Sequence, residues 1–156
     1  MKNILEYILF ISLSLFVRII GLKFSRRFAN VLAFVFFYII RIRKEVVLEN
    51  LKYAFPDYSE EKIKHTAYEN FKSICITLVE ILSLPWIKKE QVNNILLFDN
   101  PDLFINKFKE GNGLIVLSGH FGNWEYLATL GAYILNVKFH VVVKPQRNPY
   151  VDRWMN

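Results

Sequence analysis

His120 and Glu125 are the residues of this chain whose types and spacing can do acid/base chemistry. They sit in the run Leu117-Ser118-Gly119-His120-Phe121-Gly122-Asn123-Trp124-Glu125. An imidazole exchanges protons near neutral pH, and a carboxylate in the first turn of a helix stays ionised. Such a pair can take a proton from a hydroxyl, with the carboxylate orienting the ring and stabilising its protonated form. Backbone N–H groups of Gly122, Asn123 and Trp124, at a helix amino terminus, are candidate donors to an oxyanion. A second reading makes the run a tight turn. Its glycines then serve the backbone, Asn123 caps a helix, Trp124 packs and Glu125 complements the dipole. That reading gives His120 no task, which tips the balance towards chemistry. Ser118 lacks the Gly-x-Ser-x-Gly setting of a nucleophilic serine. No metal is expected, since one His and one Glu are too few ligands and the pattern is not His-Glu-x-x-His.

The sequence predicts an α/β framework to position these groups. Gly113–Leu117 reads as a buried strand, Asn123–Leu135 as a helix and Lys138–Val143 as a second strand. Together they form a βαβ unit with a right-handed crossover. Ile95–Phe98 is a further candidate strand. His120 would then stand at the carboxyl end of a strand, where open α/β sheets place their crevices. Lys144, Arg147 and Arg153 follow the second strand at the same edge and could bind phosphates; a solvated loop is an equally good account of them. Two or three strands fall short of a usual sheet of roughly four to six, so the sheet is expected to be incomplete. Upstream, Asp57 and Glu60 give a capping-box-like start to a helix over Ser59–Leu82, with Ile63, Ala67, Phe71, Ile74, Leu78 and Ile81 on its apolar stripe. Asn100-Pro101-Asp102 opens another helix that Gly111 stops, and Pro149 opens a last one. His65 and His140 are read as structural.

The 156 residues have a formal charge of +6, and it is unevenly placed. Residues 1–44 hold eight Lys/Arg and one acid, whereas residues 45–156 hold twelve Lys/Arg and thirteen acids. The positive excess therefore coincides with the most apolar stretch, which suits an anionic membrane surface and not a nucleic-acid-binding arm. Ile4–Ile20 is almost uninterrupted apolar sequence near the ~20 residues that a spanning helix needs. No Ala-x-Ala site comes after it, so it reads as an uncleaved anchor. Lys23, Arg26 and Arg27 outnumber Lys2 across it, which places the rest of the chain in the cytoplasm. Val31–Ile40 is a shorter apolar run, compatible with an interfacial helix or a buried one. The single cysteine, Cys75, excludes an internal disulfide and reads as a small buried hydrophobe.

The string Gly-His-Phe-Gly-Asn-Trp-Glu at 119–125 resembles the late, lauroyl/myristoyl-type acyltransferases of lipid A biosynthesis, a branch of the His-x-x-x-x-Asp/Glu acyltransferases. Two other stretches resemble the same family: residues 43–60, where Asn50-Leu51 precedes Ala54-Phe55-Pro56, and Lys144-Pro145-Gln146-Arg147-Asn148-Pro149-Tyr150-Val151-Asp152. Family members often have Arg where this chain has Lys144, a change that keeps the charge but loses a bidentate donor. The resemblance implies a membrane anchor over residues 1–22 and, over 23–156, the amino-terminal part of a glycerolipid-acyltransferase-like domain. It implies transfer of a fatty acyl chain from acyl carrier protein to a hydroxyl of a lipid A precursor or other glycolipid. The reaction would run on the cytoplasmic side of a bacterial inner membrane, with no bound cofactor beyond the carrier's thioester. His120 would be the general base and Glu125 its partner. Family members continue well past residue 156, so the alternatives are a membrane-bound, non-catalytic remnant or interaction protein, and the same chemistry on another lipid.

Overall fold

The structure, a computed structural model, describes residues 1–155. Helix accounts for 72% of the chain, and no strand occurs among the described residues. The helices are α1 (Lys2–Phe34), α2 (Lys44–Ala54), α3 (Glu60–Ser83), a single turn α4 (Val92–Ile95), α5 (Pro101–Lys109), α6 (Trp124–Ile134) and α7 (Pro149–Met155). A π-helical turn, Val35–Ile40, follows α1 and ends on Arg41, which takes a left-handed conformation at φ 59°.

The expected α/β sheet is therefore corrected to a helical architecture. Ile95 closes α4, and residues 96–98, 113–117 and 138–143 belong to no regular element. Their β-branched and aromatic residues suit a strand locally. A strand, however, exists only when a second segment takes up its N–H and C=O groups. None does so here among the described residues, and the side chains that would form a core are exposed: Ile115 is 89% exposed and Leu117 92%. The helices, whose hydrogen bonds are local, agree closely with the sequence. Asn100 caps α5 by accepting from Leu103 N–H at 3.1 Å. Asn123 caps α6 by accepting from Tyr126 N–H at 3.0 Å.

The chain divides into two compact units, residues 16–82 and residues 1–15 with 83–156. In the first of these, the buried cluster joins Val17, Ala29, Ala33 and Phe37 to Ala67, Phe71, Cys75 and Val79 of α3. The buried stripe of α3 thus steps by four, Ile63-Ala67-Phe71-Cys75-Val79, while Ile74 and Leu78 are about half exposed. The cap is also two residues from the expected Asp57: Ser59 Oγ accepts from Lys62 N–H at 3.3 Å. Arg26 meets the buried Glu80 with both Nε and a terminal nitrogen at 2.6 Å, tying α1 to α3 by a charge-assisted pair. Cys75 is 2% exposed, and burial pushes its thiol up, as expected of a structural cysteine.

The apolar stretch of α1 is not one straight rod. Gly21 has φ 75° and ψ 158°, outside any helical conformation and suited to glycine. Twelve residues of continuous helix would separate Phe16 from Phe28 by about 18 Å along the axis, yet their rings lie 5.7 Å apart. Ser25 Oγ, buried in the bend, donates to Gly21 O at 2.9 Å.

In the other unit, Val92, Tyr126 and Leu130 form the buried centre, with Leu84, Ile87, Ile95, Leu96 and Ile134 against it. Ser83 Oγ and the Tyr126 hydroxyl share a 2.7 Å hydrogen bond. This small core fixes α6, and with it the residues at the helix amino terminus.

Candidate active site

The turn before α6 is built by its glycines and its cap. Phe121 N–H donates to Gly119 O at 2.8 Å, a three-residue reversal. A Cβ on Gly119 would lie 2.7 Å from the Phe121 ring, so any larger residue there would require this exposed ring to move. Gly122 comes next at φ 54°, and Asn123 then starts the helix. The turn leaves His120 exposed and half-buries Trp124 and Glu125, which occupies the first turn of α6.

Trp124 touches both members of the expected pair. Its ring lies 4.6 Å from the His120 ring, centroid to centroid, and its Nε1–H donates to Glu125 Oε1 at 3.1 Å. No hydrogen bond joins His120 to Glu125 among the described residues. The indole thus contacts both groups, its ring tilted at 56° to the imidazole and its N–H on the carboxylate.

His120, Trp124 and Glu125 line a cavity of about 1050 Å³. Phe104, Phe108, Val116, Leu127, Phe139 and Val141 give it apolar walls. Phe104 packs on Phe108 and Phe139 at ring distances of 6.4 and 5.8 Å. Lys144 also reaches the cavity, whereas Arg147, Arg153, Gly122 and Asn123 lie outside its lining. Asp152, at the start of α7, accepts from Gln146 N–H at 2.7 Å and holds the loop that carries Lys144 and Arg147. His140, read from the sequence as structural, lines the same cavity. The aromatic wall was not foreseen; the only hint was the four-residue spacing of Phe104 and Phe108 on α5. No group of three or more His, Cys, Asp or Glu side chains that could hold a metal occurs among the described residues.

His120 and Glu125, the expected pair, thus line one cavity with apolar walls, in a chain whose amino-terminal helix is long, apolar and largely exposed. The family model described as bacterial lipid A biosynthesis acyltransferase matches residues 2–156, and the chain belongs to that family. It is thus an acyltransferase of lipid A biosynthesis, a family whose acceptor is a lipid A precursor, and its amino-terminal helix is long and apolar enough to cross a membrane. No curated protein and no solved structure matched the chain.

Replacing Trp124 with Phe keeps a ring beside His120 and removes the donor to Glu125. A hydrogen bond to a charged group is worth about 1.5–3 kcal/mol, so Trp124→Phe should lower acyl transfer by about tenfold or more. The rate of product formation at saturating acceptor checks this, and an unchanged rate would make the indole mere packing.

Proposed function

We propose that this chain carries the catalytic pair that moves a fatty acyl group from acyl carrier protein to a hydroxyl of a lipid A precursor. The reaction runs at the cytoplasmic face of the inner membrane. The observation that carries this reading is that His120 and Glu125 line the same apolar cavity, in a chain of a family whose chemistry is acyl transfer.

His120 takes the proton of the acceptor hydroxyl as its oxygen attacks the thioester carbonyl. The carbonyl becomes a tetrahedral oxyanion, and the positive end of the α6 dipole, where Trp124 lines the cavity, stabilises it. The C–S bond then breaks, and the departing thiolate recovers the proton from the imidazolium. The products are an ester and a free carrier thiol. Glu125 stabilises the imidazolium electrostatically while Trp124 holds the carboxylate in place. The phenylalanine wall takes the acyl chain, and Lys144 takes a phosphate of the glycolipid or of the carrier's prosthetic arm.

The test is acyl transfer by membranes containing the protein, supplied with acyl carrier protein thioester and a lipid A precursor, with products identified by mass. A product heavier by one acyl group is expected, and its absence would end the reading. Glu125→Gln keeps the size and hydrogen bonding of the side chain but removes its charge. Turnover should fall steeply with the fold retained; wild-type turnover would leave Glu125 a role in the turn alone.

A further inference from the structure

We propose that Asn148 is a positioning residue for acyl transfer: gripped by Asn3 and Glu6 in the apolar arm that begins α1, it fixes the loop that presents Lys144 to the cavity. The inference rests on the phosphate-binding role given to Lys144 above and adds what holds that side chain in place. All the residues involved belong to the unit formed by residues 1–15 and 83–156.

The loop needs support from elsewhere in the chain. Residues 138–146 belong to no regular element. Lys144 is exposed, yet it lines the cavity together with Gln146 and Asp152. A long cationic side chain on such a loop gives up much freedom when it meets an anion. A loop already held in place reduces that loss and tightens binding.

Asn148 supplies the hold. It is 8% exposed. Its Nδ2 donates to Asn3 O at 2.8 Å and to Glu6 Oε2 at 3.1 Å. Its Oδ1 accepts from Tyr150 N–H at 3.1 Å and so caps the start of α7. Its carbonyl accepts from Asp152 N–H at 2.9 Å. Asp152 in turn accepts from Gln146 N–H at 2.7 Å, two residues from Lys144. A chain of hydrogen bonds thus runs from the first turns of α1 through Asn148 into α7 and back to the loop. The same two helices are seated by Tyr7 against Tyr150, at 5.7 Å between ring centroids, and by Phe10 edge-on to Trp154 at 4.8 Å.

The residue type fits the task. Asp or Ser would cap α7 equally well. Only an amide both caps the helix and donates to a carbonyl and a carboxylate. The bond to Glu6 is charge-assisted, which makes it one of the stronger kind.

The test is steady-state acyl transfer by membranes containing the protein. The lipid A precursor and the acyl carrier protein thioester are varied in turn, each with the other saturating. Asn148→Asp keeps the size of the side chain and the oxygen that caps α7, but it turns the donor facing Glu6 into an acceptor. KM for one substrate should rise by about tenfold or more, the worth of one charge-assisted hydrogen bond. Its kcat should stay within about twofold, as when binding common to ground and transition states is lost. A rise for the precursor assigns the phosphate at Lys144 to the glycolipid, and a rise for the thioester assigns it to the carrier's prosthetic arm. Adding Glu6→Gln places a donor opposite the new carboxylate and should restore most of the affinity. In a Lys144→Ala background Asn148→Asp should add nothing further, because residues acting through one contact are not additive. Unchanged KM for both substrates would overturn the proposal and leave the acyl-transfer reading standing. A fall in kcat alone, a failed rescue or full additivity with Lys144→Ala would also overturn it, leaving Asn148 a part of the fold only. Wild-type membranes without turnover would remove the acyl-transfer reading and this inference with it.

Discussion

His120→Ala should lower acyl transfer by about 10²-fold or more, the usual worth of a positioned general base. The protein should remain in the membrane at its normal level. His120 is exposed, with its ring 4.6 Å from that of the half-buried Trp124. Its removal therefore opens no cavity in a core and orphans no buried partner. A loss of rate with unchanged protein level is what separates a chemical role from a structural one. If the variant turned over normally, the proton acceptor would have to be sought elsewhere around the cavity. His140 would be the first candidate, because it lines the same space.

The largest effect on stability should come from Phe37→Ala. Phe37 is 2% exposed and sits where three elements converge. Its ring meets Phe71 at 5.2 Å and Tyr68 at 5.5 Å on α3, and Tyr38 at 4.8 Å beside it. The Lys44 ammonium lies 4.2 Å from its centroid, over the ring face. Truncating a buried Phe costs about 3–5 kcal/mol through lost burial and the cavity left behind. Thermal unfolding monitored by circular dichroism in detergent should show a large drop in midpoint. Ile39→Ala is the control, since Ile39 is 65% exposed two residues away. Its effect should stay within about 0.5 kcal/mol. Equal losses in the two variants would mean that the π-helical turn has no fixed packing.

How much could be read from the sequence depends on how local each interaction is. Helix starts were legible at Asn100-Pro101 and Asn123 because a cap is decided within three residues. The strands were misread for the opposite reason. Residues 113–117 and 138–143 have the right side chains, but pairing is a property of two segments, and a run of β-branched residues does not name its partner. Along α3 the period was clear but its phase drifted. Cys75 is buried as expected, but the stripe read from the sequence steps by three from Phe71 to Ile74 and so runs one residue early, putting Ile74 and Leu78 inside where Val79 is buried. The sequence singles out His120 and Glu125 as a candidate pair, and both line one cavity, but what joins them is not legible in it. Nothing in the spacing says that an indole, not a direct hydrogen bond, contacts both. The phenylalanine wall escaped because Phe104, Phe108 and Phe139 come from segments distant in sequence.

The hydrogen bond from Asn148 to Asn3 spans 145 residues. That separation sets an order of events during synthesis. The first helix is made at once, but the surface it docks on is made about 145 residues later. At roughly 5–20 residues per second, the apolar arm waits on the order of ten seconds without its partner. Loop closure over such a length adds little further free-energy cost, since the term grows only logarithmically. Time, not energy, is the hazard. An aliphatic helix free for that long will be taken by whatever apolar surface is nearest. A nascent chain that reaches the bilayer early would shelter the arm there, and the protein would complete its fold already seated on the membrane where its lipid substrate resides.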